Sequence, residues 1–307
     1  MACMRVIRPG LLTTVQDIGR WGHQSSGVPV AGPMDLYSHR LANRLAGNRD
    51  EEAALEVTII GPDLRAVGDV LCAVTGAEFA VEVNGKSADT RKSFEVPDGA
   101  TLRVGACVAG ARAALAVRGG FDVPATFGSR ATSVVSRMGP FGGRALVAGD
   151  ELPVGTAVEA DCQAGQRLPL PTGGARLRVL MGPHDTRFHD DVVGRLLESR
   201  FVITPESNRM GYRLAGQILR SSGAAEVLSD ATPFGSLQVT GSGQPILLMA
   251  DRQTTGGYPR IATVISADLP VAAQLAPGNW IEFVACAQDE AIAALRLQEA
   301  NLGAVAR

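Results

Sequence analysis

The strongest constraint on the fold is the shortness of the apolar runs and the regularity with which glycine or proline ends them. Ala53–Ile60 reads as a strand running into the Gly61-Pro62 turn, and Pro245–Leu248 as a short buried strand. From Leu71 to Gly105, strands recur at short intervals, broken at Asn84-Gly85 and at Pro97-Asp98-Gly99. Both breaks are hairpin signals, because Asn, Asp and Gly tolerate the positive φ of a tight reversal. Ala113–Arg118 gives one more strand. Helical spacing appears in Leu36–Leu45, which Asp35 or Ser38 could cap and Gly47-Asn48 would stop, and in an amphipathic stretch from Gln288 to Asn301. With 36 glycines and 17 prolines against 20% charged residues, the chain favours many strands joined by turns, with a few short helices.

A chain of 307 residues with 46% hydrophobic content suggests two domains with full cores. A net charge of −2 leaves no electrostatic footprint for nucleic acid or for an anionic membrane. No window reaches the roughly 18 apolar residues that span a bilayer, and the opening lacks a signal-peptide core, so a cytoplasmic location is expected. The cysteines (Cys3, Cys72, Cys107, Cys162, Cys286) are odd in number and never spaced as a zinc ribbon or disulfide framework. Cys72, Cys107 and Cys286 lie in apolar runs and are expected in the core. The four histidines share no helix face, and no metal is predicted.

Arg167–Gly174 is dense in proline and glycine and reads as a linker. The predicted division is 1–166 and 176–307, with 167–175 between. Beyond the linker the chain repeats itself weakly. Arg178–Pro183 echoes Arg5–Gly10, Gly235–Gly241 echoes Gly27–Gly32, and Ala276–Val284 echoes Val96–Val104. Two similar β-rich domains are expected from this, and tandem domains of this kind commonly hold a ligand between them.

Three loops carry the chemistry. One holds Gln16, Asp17, Arg20 and His23. Another is Ser207–Arg213, with Asn208, Arg209 and Tyr212. The richest comes after the Pro245–Leu248 strand and packs Asp251, Arg252, Gln253, Thr254, Thr255, Gly256, Gly257 and Tyr258 into a donor-rich lip. Arginine forks (Arg20, Arg209, Arg252) suit a carboxylate or phosphate. Asn208, Gln253, Thr254, Thr255 and Tyr258 can hold an amide or ureido group. Gly256 and Gly257 let backbone approach a ligand. Asp17 and Asp251 are candidates for acid–base work or for fixing a neighbouring guanidinium. Asp35 and Asp230 read as a cap and a turn residue, and Tyr37 and Trp21 as packing. Asn84-Gly85-Lys86-Ser87 lacks the first glycine of a phosphate loop, since position 80 is Ala80, and it sits where a hairpin turn is expected. No nucleophile elbow and no biotin-attachment lysine are present.

These segments resemble the family of the C-type component of 5-oxoprolinase, also known as allophanate hydrolase subunit 2 or KipA, a biotin-dependent carboxyltransferase-like group. The likeness is carried by Gly10–Arg20 with Gly27-Val28-Pro29, by Val117–Pro124 with Gly128-Ser129-Arg130, and by Ser207–Leu214. It continues through Leu248–Pro259, Ile261–Ile265 and Ala273–Gly278. The resemblance implies two tandem cyclophilin-like β-barrel domains and a partner chain, the B-type (KipI-like) component, with a further A-type component in one branch. That branch opens 5-oxoproline to glutamate using ATP. A second branch acts on urea or allophanate, with biotin carried by another chain. A third, the KipA type, is not an enzyme and binds a kinase inhibitor that itself resembles the B-type component. The expected role is the first, with ATP used by the complex and the site between the barrels.

Overall fold

The computed structural model describes residues 2–157, 166–222 and 226–303. They divide into two compact units, the first drawn from Met1–Arg20, Ala31–Leu170 and Glu299–Arg307, the second from Trp21–Val30 and Pro171–Gln298.

The first unit is a nine-stranded sheet. Strands β1 (Cys3–Arg8), β2 (Leu12–Gln16), β3 (Ala54–Thr58), β4 (Asp63–Val67), β5 (Val70–Val83), β6 (Lys86–Ser87), β7 (Phe94–Val96), β8 (Thr101–Val117) and β9 (Glu151–Pro153) pair in the path β2-β3-β8-β4-β1-β9, with β5 along β8 and β6 and β7 on β5. Alternation along the strands decides what covers each face. Leu55, Val57, Cys72, Val74, Leu115 and Val117 join one core. Their neighbours Ala54, Ala73, Ala114 and Ala116 face the other way, and these small side chains receive Tyr37, Leu41, Ala42 and Leu45 of the helix Leu36–Leu45. Each fully buried Leu or Val contributes about 1.5–3 kcal/mol. Asp35 caps that helix as expected: Ser38 N donates to Oδ1 at 2.8 Å and Ser38 Oγ to Oδ2 at 2.7 Å.

The second unit closes into a barrel. Its strands are β10 (Gly174–Met181), β11 (Arg200–Ile203), β12 (Gly211–Ala215), β14 (Ser236–Val239), β15 (Pro245–Leu248), β17 (Arg260–Val264) and β18 (Trp280–Ala285), in the order β10-β17-β14-β15-β12-β11-β18. A parallel pairing of β10 with β18, from Gly174↔Trp280 to Val179↔Ala285, completes the ring. Two further short strands, β13 (Asp230–Ala231) and β16 (Thr255–Gly256), form a separate ribbon. Phe201 and Phe283 pack ring to ring inside at 5.9 Å. Gly174 is required by its neighbour: a Cβ there would lie 2.2 Å from the Trp280 indole, whose other partner is the Arg200 guanidinium at 4.0 Å.

The fold is mainly β, as expected: the second unit closes into a barrel, and the strands of the first pair into one nine-stranded sheet. Four details differ from the sequence reading. β5 and β8 run for 14 and 17 residues, longer than the short runs expected, and each passes through a glycine of positive φ, Gly76 (+98°) and Gly110 (+82°), without ending. The helix Gln288–Gly303 buries only Leu302, so it is not the amphipathic element its pattern suggested. Trp21, read as packing, is 60% exposed. Of the three cysteines assigned to the core, Cys72 is buried and Cys107 and Cys286 are half-buried.

The internal repeat is visible in one turn. Gly99 N donates to Ala66 O, Ala66 N to Ala100 O and Ala100 N to Pro97 O. In the second unit Gly278 N donates to Ile203 O, Ile203 N to Asn279 O and Asn279 N to Ala276 O. The same three bonds recur, with Pro97 matched to Ala276, one residue off the register that the sequence echo suggests.

Candidate functional site

The lip is built from the end of β15 outward. Met249 N donates to Met210 O and Asp251 N to Arg209 O, at 2.9 and 2.8 Å, so the turn after the strand is tied to the Arg209 segment. The side chains repeat the tie. Arg209 Nε and Nη2 donate to Asp251 Oδ2 and Oδ1 at 3.1 Å each, with only 6% and 1% of the two side chains exposed. A bidentate pair this deep fixes geometry more than it adds net stability, since both charges are stripped of water. It also engages both oxygens of Asp251 with a protein donor. Arg209 and Asp251 therefore form a buttress under the lip.

Arg252 is different. It is largely buried, its Nε donates to Thr232 O at 2.7 Å, and its guanidinium lies 5.5 Å from the centre of the Phe234 ring. Nη1 and Nη2 make no hydrogen bond to a described residue and keep contact with solvent. Burial pulls its pKa down to about 10, partly offset by the Asp251 charge, so it remains a cation at neutral pH. A dehydrated fork with two open donors is suited to a carboxylate.

Thr232 organises the residues after Arg252. Its Oγ1 donates to Gln253 O, its N–H donates to Thr254 O at 3.1 Å, and the ribbon continues with Ala231↔Thr255 and Asp230↔Gly256. Gln253 is half-buried and its Nε2 donates to Gln238 Oε1 at 3.3 Å. Gln238, buried on β14, donates its own Nε2 to Tyr258 O at 3.4 Å. Thr255 and Tyr258 are exposed, and Gly257 O accepts from Val227 N at 2.8 Å. Arg252, Gln253, Thr254, Thr255, Gly256, Gly257 and Tyr258 are thus one continuous structure.

The other predicted residues make contacts of their own. Asn208 is exposed; its Oδ1 accepts from Met210 N at 2.8 Å, and with Arg213, Thr204, Glu206, Thr240 and Gln244 it lines a groove of about 650 Å³ that contains no lip residue. Tyr212 is buried in the barrel, with its hydroxyl donating to Leu275 O at 3.2 Å, which makes it a core residue rather than a ligand contact. In the first unit, Asp17 accepts from Gly19 N (2.9 Å), Ser129 Oγ (2.6 Å) and Arg130 N (2.5 Å). Arg20 is 1% exposed and donates to the carbonyls of Thr126 and Ala131. These two pin the Thr126–Ala131 loop to the end of β2. Their geometry is that of a staple, which leaves neither presented to a ligand.

Gln238, Thr232 and Phe234 were missed by the sequence reading. The available signal was Ser236 and Gln238, two polar residues at period two in a strand otherwise apolar. Asn84-Gly85 is a hairpin turn, as read from the sequence, with Val83↔Lys86 and Glu82↔Ser87 paired across it and φ positive at both turn residues.

The chain belongs to the carboxyltransferase family: residues 26–285 match Carboxyltransferase domain, subdomain A and B. Among curated proteins it is similar to the C subunit of 5-oxoprolinase from Escherichia coli, 38% identical over 296 residues, covering 96% of this chain and 95% of that one. It is also 34% identical to urea amidolyase of Lachancea kluyveri, covering 91% of this chain and 17% of that protein. In structure it is similar to K. lactis urea amidolyase, with a TM-score of 0.93 and 32% identity over 98% of this chain and 20% of that one. No helix among the described residues is long and apolar enough to cross a membrane.

Proposed function

We propose that this chain is the C-type component of an ATP-dependent 5-oxoprolinase, a cytoplasmic complex that hydrolyses 5-oxoproline to glutamate together with A-type and B-type components. The observation that carries the reading is the end-to-end match to the E. coli protein, 95% of whose length is covered. The lip fits the substrate class. Arg252 offers its fork to the carboxylate, and Gln253, Thr254, Thr255 and Tyr258 surround the amide. Hydrolysis of the lactam breaks its C–N bond and places negative charge on the carbonyl oxygen; fixed donors at the lip would hold that charge without reorganisation. Asp251 and Asp17 are engaged with protein donors, so this chain supplies position and charge, and proton transfer falls to the partner chains.

The urea amidolyase likeness supports a second reading, action on urea or allophanate with biotin on another chain. The lip argues for the first or for allophanate over urea, because a buried cation suits an anionic substrate. The test is to reconstitute the complex with its partner chains and assay 5-oxoproline, urea and allophanate in parallel. ATP-dependent glutamate formation from 5-oxoproline alone is expected; turnover of urea or allophanate alone would overturn the reading.

A further inference from the structure

The two lip glutamines form a chain whose direction is fixed by chemistry. Tyr258 O is a backbone carbonyl and can only accept, so Gln238 presents Nε2 to it at 3.4 Å. That leaves Gln238 Oε1 as an acceptor, and Gln253 meets it with Nε2 at 3.3 Å. Gln253 Oε1 is the end of the chain: it makes no hydrogen bond to a described residue and keeps contact with solvent. Gly256 makes the arrangement possible. A Cβ at that position would lie 2.8 Å from Gln238 Nε2 and 3.1 Å from Gln253 Nε2. Gln253 and Arg252 are held by the same residue, since Thr232 O accepts from Arg252 Nε and Thr232 Oγ1 donates to Gln253 O.

We propose that Gln238 is a positioning residue that fixes Gln253 as a hydrogen-bond acceptor next to the Arg252 fork, so that the lip selects a ligand carrying an N–H donor close to a carboxylate. This rests on the function proposed above and sharpens it. In 5-oxoproline the lactam N–H is bonded to the carbon that bears the carboxylate, so one end of the molecule offers both groups. A ring-oxygen lactone of the same shape keeps the carboxylate and lacks the donor. A site built around an acceptor rejects such an analogue, because the acceptor is left unpaired.

The assembled complex is assayed with 5-oxoproline, with the lactone as a competitor. Wild type should favour the lactam by about tenfold or more, the loss of one hydrogen bond to a fixed acceptor. Gln238→Leu, close in size, should raise KM for the lactam about tenfold and cut the preference to below about threefold, with kcat changed much less. Gly256→Ala, which crowds the same amides without removing them, should shift the preference the same way. A preference unchanged in both variants would overturn the inference while leaving the function standing. If the wild-type complex left 5-oxoproline intact, the function would fall, and the orientation is read separately by neutron diffraction on the full chain. Gln253 nitrogen towards Gln238 in wild type, and a turned or displaced amide in Gln238→Leu, supports the inference; oxygen towards Gln238 overturns it.

Discussion

The loop at the end of β2 and the lip at the end of β15 look alike as sequences: each comes after a strand and offers Gln, Asp and Arg within a few residues. Their hydrogen bonds set them apart. Arg20 and Asp17 meet backbone groups of a loop more than 100 residues downstream, whereas Arg252 has one protein hydrogen bond and two open donors. The difference lies in where the hydrogen bonds end. Asp17 gives its carboxylate to three protein donors and so acts as architecture, whereas the Arg252 fork keeps two donor nitrogens in contact with solvent, as a site requires.

The contrast can be broken at several points. The largest effect is expected at the buttress. Arg209→Met alone strands the Asp251 carboxylate and should destabilise the chain by about 3–5 kcal/mol in urea unfolding, and adding Asp251→Leu should restore much of that. Next comes His39, buried in the first unit against Asn43 at 3.2 Å. Burial holds its pKa at about 4 against an ordinary 6.5, with Asp17 and Asp50 opposing weakly. The unfolded chain therefore takes up a proton near pH 6.5 that the folded chain refuses until about pH 4. Stability present above 6.5 should fall by about 3 kcal/mol as pH drops through that window, and His39→Gln should flatten the profile between them.

Asp17→Ala deprives three donors of their acceptor and should cost about 2–3 kcal/mol of stability, read by thermal or urea unfolding, with turnover by the folded complex changed less than about threefold. Arg252→Gln should do the reverse. Removing a desolvated cation with one protein hydrogen bond should change stability by less than about 1 kcal/mol, while 5-oxoproline turnover by the complex falls by about 10–100-fold. If Asp17→Ala abolished turnover in a fully folded complex, the distinction between the two loops would fail.

Local chemistry was legible in the sequence. Asn84-Gly85 and Asp98-Gly99 specify their turns through backbone conformations few other residues accept, and Asp35 caps its helix through a contact three residues long. The β-rich architecture and the lip were readable from apolar runs and from the residue types at a strand end. What escaped depended on distant partners. Nothing near Arg20 announces that Thr126 and Ala131 will take its donors, and nothing near Tyr212 announces Leu275. Asn208 and Gln253 carry the same amide, yet Gln253 bonds within the lip while Asn208 accepts from Met210 N and lines a separate groove, a difference set by partners outside each residue's own turn. Gln238 escaped because a buried amide in a strand reads as core until its neighbour is known.

The central claim, that the lip is where substrate binds, is tested most directly by a crystal structure of the assembled complex with 5-oxoproline bound. The ligand carboxylate is expected within about 3.2 Å of Arg252 Nη1 or Nη2, with the lactam N–H directed at Gln253 Oε1. A ligand bound away from the lip, with both Arg252 terminal nitrogens still facing solvent, would contradict it.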